Sequence, residues 1–412
     1  LPQVRQTRQS FWQRDVSAQG MLAALLIAIT CFYGNLARES YTDDFRAFYV
    51  AAEATAAHLD PYVNHVNLDE RFADALWLRP DSRFIYPPTA LFFFLPLAHV
   101  PYNLAKTAFG LLMALTMVAI LAELHRRYPR QTLVLLALFI SLPMFMHVDN
   151  GQIDCLILGL VLVAFYLPEG WRGGVCLGIA IAIKVSPVLL LVWFVSQRRW
   201  RLLAWCAATV GVLAAAAYVH WGAGYFIEFA QHLARHGEGQ QLLTHTFVTL
   251  HKIGNPVLVT ADGIFAYQHD IGGYQVNPLH LLGRVGMPIG LGLYLALACW
   301  LLSPQARRLS DDRRFFLLLV GALVANPLLW AMGLVACFPL VVLLVSESPT
   351  PNRAAVMLVA PFLLTKQAIG EGSFVLWLAM AGLCLWQNGW FRRVPEGDGG
   401  LRQDLPATGM AA

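Results

Sequence analysis

Asp43 and Asp44 follow directly on the first apolar run of the chain, so two carboxylates stand beside a hydrophobic span. A carboxylate placed there can serve in two ways. Together with Thr42 it can cap a helix, its oxygen accepting a hydrogen bond from a backbone N–H that has no partner inside the helix. Alternatively it can exchange a proton with a bound group. Two adjacent acids are more than one cap requires. Downstream of them Phe45, Phe48, Tyr49, Ala52, Ala56 and Leu59 recur at spacings of three and four, with Arg46 and Glu53 falling elsewhere. That pattern predicts a helix with one apolar face, of the kind that lies on a membrane surface.

The elements that must position these acids follow from composition. At 412 residues, 58% hydrophobic and 13% charged, with a mean hydropathy of +0.56, the chain carries more apolar surface than one soluble core can bury. It reads as an all-α, polytopic integral membrane protein. The net charge of +4 is small and its arginines fall in short clusters between apolar runs, so nucleic acid is not an expected partner. The 7 cysteines sit in or at the ends of apolar runs, without metal or disulfide spacing, and read as packing residues. A basic leader with Arg5, Arg8 and Arg14 precedes the first run, as in an uncleaved anchor.

Spanning helices are predicted at Met21 to Leu36, Asn103 to Leu124, Thr132 to His147, Ile153 to Leu167, Leu202 to Val219 and Val285 to Leu302. Four more fall at Phe315 to Leu329, Met332 to Ser346, Ala354 to Ile369 and Ser373 to Trp390. Clusters at Arg126, Arg127 and Arg130, at Arg198, Arg199 and Arg201, at Arg307, Arg308, Arg313 and Arg314, and at Arg392 and Arg393 mark the cytoplasmic side. Both termini are then cytoplasmic, in a multi-pass membrane protein. If Arg126 and Arg198 share a side, the run Val175 to Val195 cannot cross once. It carries Lys184, Val185, Ser186 and Pro187 at its centre and is expected to bend there and return.

The long stretches 37–101 and 220–284 then fall outside, as loops of one integral membrane domain over 1–393, followed by a disordered tail over 394–412. The short run Thr89 to Val100 is too brief to span upright and lies at the outer interface or dips in.

Polar residues expected near the outer face are Asp43, Asp44, Tyr86, Asp149, Asn150, Gln152, Asp154 and Asn326. For Asn150, Gln152 and Asp154, cap chemistry and substrate binding carry equal weight. Lys184 at membrane depth calls for an anionic partner or substrate; an internal ion pair is the alternative. His232 and His236 have the spacing of a helical metal pair, but no HExxH accompanies them and no metal is predicted. Without a Walker A motif or a dinucleotide fingerprint, neither a nucleotide nor another cofactor is expected, and a lipid-linked donor suits an embedded site better.

In order along the chain, DDFRAFYVAAEA at 43–54 with DPY at 60–62, IYPPTALFFFLPLA at 85–98, NGQIDCLILG at 150–159, GIAIAIKVSPVLLL at 178–191 with RRWR at 198–201, and NPLLW at 326–330 resemble the polyprenyl-phosphate-sugar-dependent glycosyltransferases of the GT-C superfamily. The set is most similar to glycosyltransferase family 87, the DUF2029 group of alpha-1,2-mannosyltransferases. The resemblance implies a multi-span helical fold of GT-C type whose first outer loop carries the catalytic aspartate, here Asp44 with Asp43 as the alternative. It implies inverting transfer of a sugar, expected to be mannose, from a polyprenyl-phosphate donor to a lipid or glycan acceptor hydroxyl. Arg46 and Lys184 would face the phosphate, and Tyr49, Tyr86, Asn150, Gln152, Asn326 and Trp330 complete the expected substrate-binding set. His58 and Leu59 replace a small residue that the family has before the Pro-Tyr. Two other readings remain: a ligase or polymerase of lipid-linked glycans, and a transporter or flippase, which would also show many spans and an embedded lysine.

Overall fold

A computed structural model describes residues 11–39, 43–63, 84–128, 132–167, 170–239, 278–325, 331–363 and 372–387. Every regular element among them is helical. In chain order these are α1 (Phe11–Glu39), α2 (Asp43–Ala56), the short turns of Pro88–His99, α3 (Tyr102–Arg127), α4 (Thr132–Phe139), α5 (Leu142–Asn150), α6 (Asp154–Tyr166) and α7 (Trp171–Ile183). There follow α8 (Leu191–Ser196), α9 (Trp200–Trp221), α10 (Ala223–Gly239), α11 (Pro278–Leu302), α12 (Asp311–Ala325), α13 (Phe338–Glu347), α14 (Pro351–Leu363) and α15 (Gly372–Gln387). Among the described residues three helices, Tyr102–Arg127, Thr132–Asn150 and Trp200–Trp221, are long and apolar enough to cross a membrane. The second is interrupted at Ser141, just ahead of Pro143, which cannot donate a helix bond. With 22 residues, α9 is about 33 Å long, close to the ~30 Å of a hydrocarbon core. Trp200 is exposed at one of its ends and Tyr218 near the other, as aromatic side chains are where helices meet headgroups.

Among the described residues, the arginines of these clusters gather at one end of the bundle. Arg127, at the close of α3, lies 3.4 Å over the Tyr166 ring at the close of α6. Tyr128 donates a 2.6 Å hydrogen bond to Asp312 at the start of α12. Arg313 pairs with Glu347 of α13 at 2.9 Å, and Arg199 donates to the Phe165 carbonyl at 3.0 Å. Lys184 stands at the other end, paired with Asp154 in the first turn of α6. Between Trp171 and Arg199 the chain therefore runs the length of α6, breaks at Lys184 and comes back through Ser186–Leu190 and α8. The expected bend and return is how this segment is built.

Close packing of α7 against α9 depends on two glycines. A Cβ on Gly174 would stand 2.4 Å from the Leu202 carbonyl oxygen, and one on Gly178 would stand 2.7 Å from Thr209 Cβ. Two helices that share a face this closely need small residues four apart, since any side chain would lever the backbones away from each other. Gly174→Ala should cost about 1–3 kcal/mol of stability. Gly211→Ala is the matched control, because its Cβ meets nothing within 4 Å. Thermal unfolding in detergent should separate the two variants.

One expectation needs correction. Phe45, Phe48, Tyr49 and Ala52 are buried as the spacing predicts, but so are Arg46, Ala47, Val50, Ala51 and Ala54. Instead of lying on a surface by one face, α2 is sunk into the protein. Its alanines are the reason, since they let neighbouring chain close over the side that would otherwise face solvent. After α2, His58 adopts φ 58° in the turn where the Leu59 N–H reaches the Ala54 carbonyl at 2.8 Å. This left-handed position strains any residue with a Cβ. His58→Gly should stabilise the protein by about 0.5–1 kcal/mol, read as a raised unfolding temperature.

Of the predicted loops, 64–83 and 240–277 lie outside the described residues, as does the tail 394–412. The seven cysteines form no disulfide.

Candidate active site

At the end of the bundle opposite the arginines, three elements converge on Asp44. The carboxylate sits in the first turn of α2, where the partial positive charge of a helix N-terminus favours it. The Gln152 side-chain amide donates a short hydrogen bond to Asp44 Oδ2. Gln152 Oε1 in turn faces the Tyr86 hydroxyl at 3.5 Å, so the amide stands between base candidate and phenol. Gln152 and Tyr86 are both buried. Burial, with the Asp154 and Asp44 carboxylates facing it, pushes the Tyr86 phenol well above its ordinary pKa and keeps it a donor.

Each partner is held from outside the triad. Tyr86 belongs to the extended chain ahead of Pro88–His99, and its own carbonyl accepts a 3.0 Å hydrogen bond from the Tyr62 hydroxyl. Tyr62 is turned toward it by an Asx turn, in which Asp60 Oδ1 accepts the Tyr62 backbone N–H at 2.9 Å. The DPY motif is thus a strut for Tyr86. Phe48 supports the same ring edge-on at 4.9 Å and stacks on Phe94 at 4.4 Å.

Gln152 is aimed by a helix end. Gly151 closes α5 at φ 70°, and the Gln152 N–H bonds back to the His147 carbonyl at 2.9 Å. Asn150 spends its side-chain amide on the Met146 carbonyl at 2.9 Å, a local bond of the kind that competes with substrate contact. The NGQID stretch is therefore a helix stop, a pointer at Asp44 and a helix start in five residues.

The cations are distributed around this core. Lys184 Nζ pairs with Asp154 at 2.6 Å. Arg46, buried, donates to the Tyr102 hydroxyl at 3.0 Å, and Lys106 lies 5.6 Å from the same ring. Tyr49 uses its hydroxyl on the Val100 carbonyl at 2.9 Å, which ties α2 to the end of Pro88–His99. Asn326 and Trp330, and the side chain of Asp43, lie outside what is described; the adjoining Ala331–Cys337 stretch packs against α5 and α6. Among the described residues no group of His, Cys, Asp and Glu could hold a metal ion.

Comparison with known families supplies the deciding observation: residues 84–330 match the model of glycosyltransferase family 87. The chain belongs to this family. It is a glycosyltransferase, and the transporter reading of its embedded lysine is set aside. The match spans Tyr86, Asn150, Gln152, Lys184, Asn326 and Trp330 and begins after α2. One similar protein is the polyprenol-phosphate-mannose-dependent alpha-(1-2)-phosphatidylinositol pentamannoside mannosyltransferase of Mycolicibacterium smegmatis, 26% identical over 326 residues and covering 73% of each chain. The enzyme of the same name from Mycobacterium tuberculosis is 28% identical over 186 residues, covering 40% of this chain and 39% of its own. No solved structure matches.

In this family-87 chain, sequence reasoning passed over two residues of the neighbourhood and left a third without its partner. Lys106 read as an ordinary early residue of a span. His147 read as the last residue of one, yet it is fully buried and its Nε2 accepts the Cys155 backbone N–H at 3.4 Å, serving the start of α6. Asp154 was visible at the mouth of a span, but nothing local tied it to Lys184 thirty residues later. A charged residue in the first turn of an apolar helix, opposite a lone lysine, is the signal that links them.

Proposed function

We propose that the protein transfers mannose from a polyprenyl-phosphate carrier to a hydroxyl of a lipid or glycan acceptor, with inversion, at the extracytoplasmic face of a GT-C-type fold. Family membership supports the reaction class. The names of the two mycobacterial relatives support mannose, the polyprenol-phosphate donor and an acceptor of the phosphatidylinositol mannoside kind. The face rests on the arginines, which collect at the end of the bundle away from Asp44 and keep such clusters cytoplasmic.

The observation that carries the mechanism is the Tyr86, Gln152 and Asp44 chain. Asp44 takes the acceptor's hydroxyl proton as the oxygen attacks the anomeric carbon, and the bond from that carbon to the phosphate oxygen breaks. Polyprenyl phosphate leaves with the electron pair and an added negative charge, which Lys184 and Arg46 stabilise. Attack from the face opposite the phosphate needs one base and no second carboxylate nucleophile. Gln152 and Tyr86 fix the base and do not themselves react. The carrier's chain runs along Pro88–His99, whose Phe93 is exposed.

Purified protein in lipid, given radiolabelled polyprenyl-phosphate mannose and a crude lipid extract, should produce labelled glycolipid of inverted anomeric configuration. Retained configuration would rule out the single-base mechanism. No transfer from this donor, with transfer from another polyprenyl-linked sugar, would overturn mannose.

A further inference from the structure

We infer that Asp154 is a positioning residue that holds the Lys184 ammonium where it meets the donor phosphate. This rests on the reading of Lys184 as a phosphate contact given above.

Lys184 is not carried on a helix. It ends α7 in an extended conformation, φ −140° and ψ 126°, at the tip of the segment that turns back toward Arg199. Val185 and Val188 beside it are exposed. A lysine on such a tip, with a flexible stem, swings its charge to the nearest water. Here it does not: its Nζ is 2.6 Å from Asp154 Oδ1, with the two side chains only 23% and 17% exposed. The carboxylate is itself fixed, since Asp154 opens α6, where a helix N-terminus favours negative charge, and the next backbone N–H is taken by His147.

The pair also lies in the right relation to the base. Gln152, which donates to Asp44 and faces the Tyr86 hydroxyl, stands two residues before Asp154 at the start of α6, so the ion pair and the base lie at the same end of the bundle on either side of Gln152 and Tyr86. An inverting displacement brings the acceptor oxygen and the leaving phosphate to opposite faces of one carbon, and a base and a cation flanking common residues suit that demand. An ammonium has three N–H donors. Asp154 is its one hydrogen-bond partner among the described residues, so donation to a phosphate oxygen does not require breaking the pair. Asp154 touches neither sugar nor phosphate; its effect passes through Lys184.

The test measures donor KM, acceptor KM, kcat and unfolding temperature for Asp154→Asn, Asp154→Glu, Lys184→Ala, the double Asp154→Asn with Lys184→Ala, and the exchange of the two residues, Asp154→Lys with Lys184→Asp. Asp154→Asn should raise the donor KM tenfold or more and leave the acceptor KM within twofold. Asp154→Glu should recover part of that loss. The double variant should be no worse than Lys184→Ala, and the exchanged pair should keep the wild-type unfolding temperature without recovering donor KM. Should the exchange restore donor KM, the pair is structural and the proposal is overturned; losses that multiply in the double variant overturn it as well. A wild-type donor KM in Lys184→Ala would instead overturn the phosphate-contact reading itself, and the proposal with it.

Discussion

Gly151→Val should lower turnover about a hundredfold while the protein still inserts and binds donor. The residue sits at φ 70°, a conformation that a β-branched side chain rarely adopts. A Cβ there would stand 2.4 Å from Phe45 Cβ and 3.2 Å from the Phe45 backbone nitrogen. Phe45 cannot yield alone, because its ring is 5.0 Å from Phe109 and 5.9 Å from Tyr102 in a buried cluster. The first turn of α2 must move instead, and Asp44 is the residue before Phe45. A displacement of about 1 Å at a catalytic group can cost about 10²-fold in rate. Gly151→Ala should lose less in the same direction. The measurement is kcat with donor KM and unfolding temperature beside it. Full turnover in Gly151→Val would mean that the α5 end does not set the position of Asp44.

That coupling explains how much of the site the sequence carried. Helices with a strong apolar period, such as α3 and α9, were legible from hydropathy alone, because their lipid-facing sides need no partner to identify them. The break at Lys184 was legible from a charge and a proline inside an apolar run. Gln152 was legible as a polar residue at the mouth of a span, but its bond to Asp44 joins positions 108 apart and depends on the left-handed turn at Gly151. The depth of α2 was not legible. Arg46 falls off the apolar face by its spacing, and only the closing of Tyr102 and Lys106 from α3 turns its position into a buried one. The spacing of DPY pointed to a family motif without revealing its work. That work, the Tyr62 hydroxyl on the Tyr86 carbonyl, again crosses a long separation.

The second large effect is expected at Asp44 itself. Asparagine has nearly the same shape, and its side-chain oxygen can still accept the amide of Gln152, so Asp44→Asn leaves the hydrogen-bonded chain through Gln152 to Tyr86 intact. What it removes is the ability to take a proton at neutral pH. The loss should therefore appear in kcat, by about 10²–10⁴-fold, with donor KM and unfolding temperature close to those of the wild type. Asp43→Asn should remain within a few fold of wild type, because one base suffices. Gln152→Ala should fall between the two, since it frees the base without removing it.

The most direct measurement is the initial rate of label transfer from polyprenyl-phosphate mannose, at saturating donor, for wild type, Asp44→Asn and Asp43→Asn reconstituted in the same lipid. A fall of about 10²-fold or more confined to Asp44→Asn is the predicted result. Transfer by Asp44→Asn at the wild-type rate would contradict the assignment of Asp44 as the base.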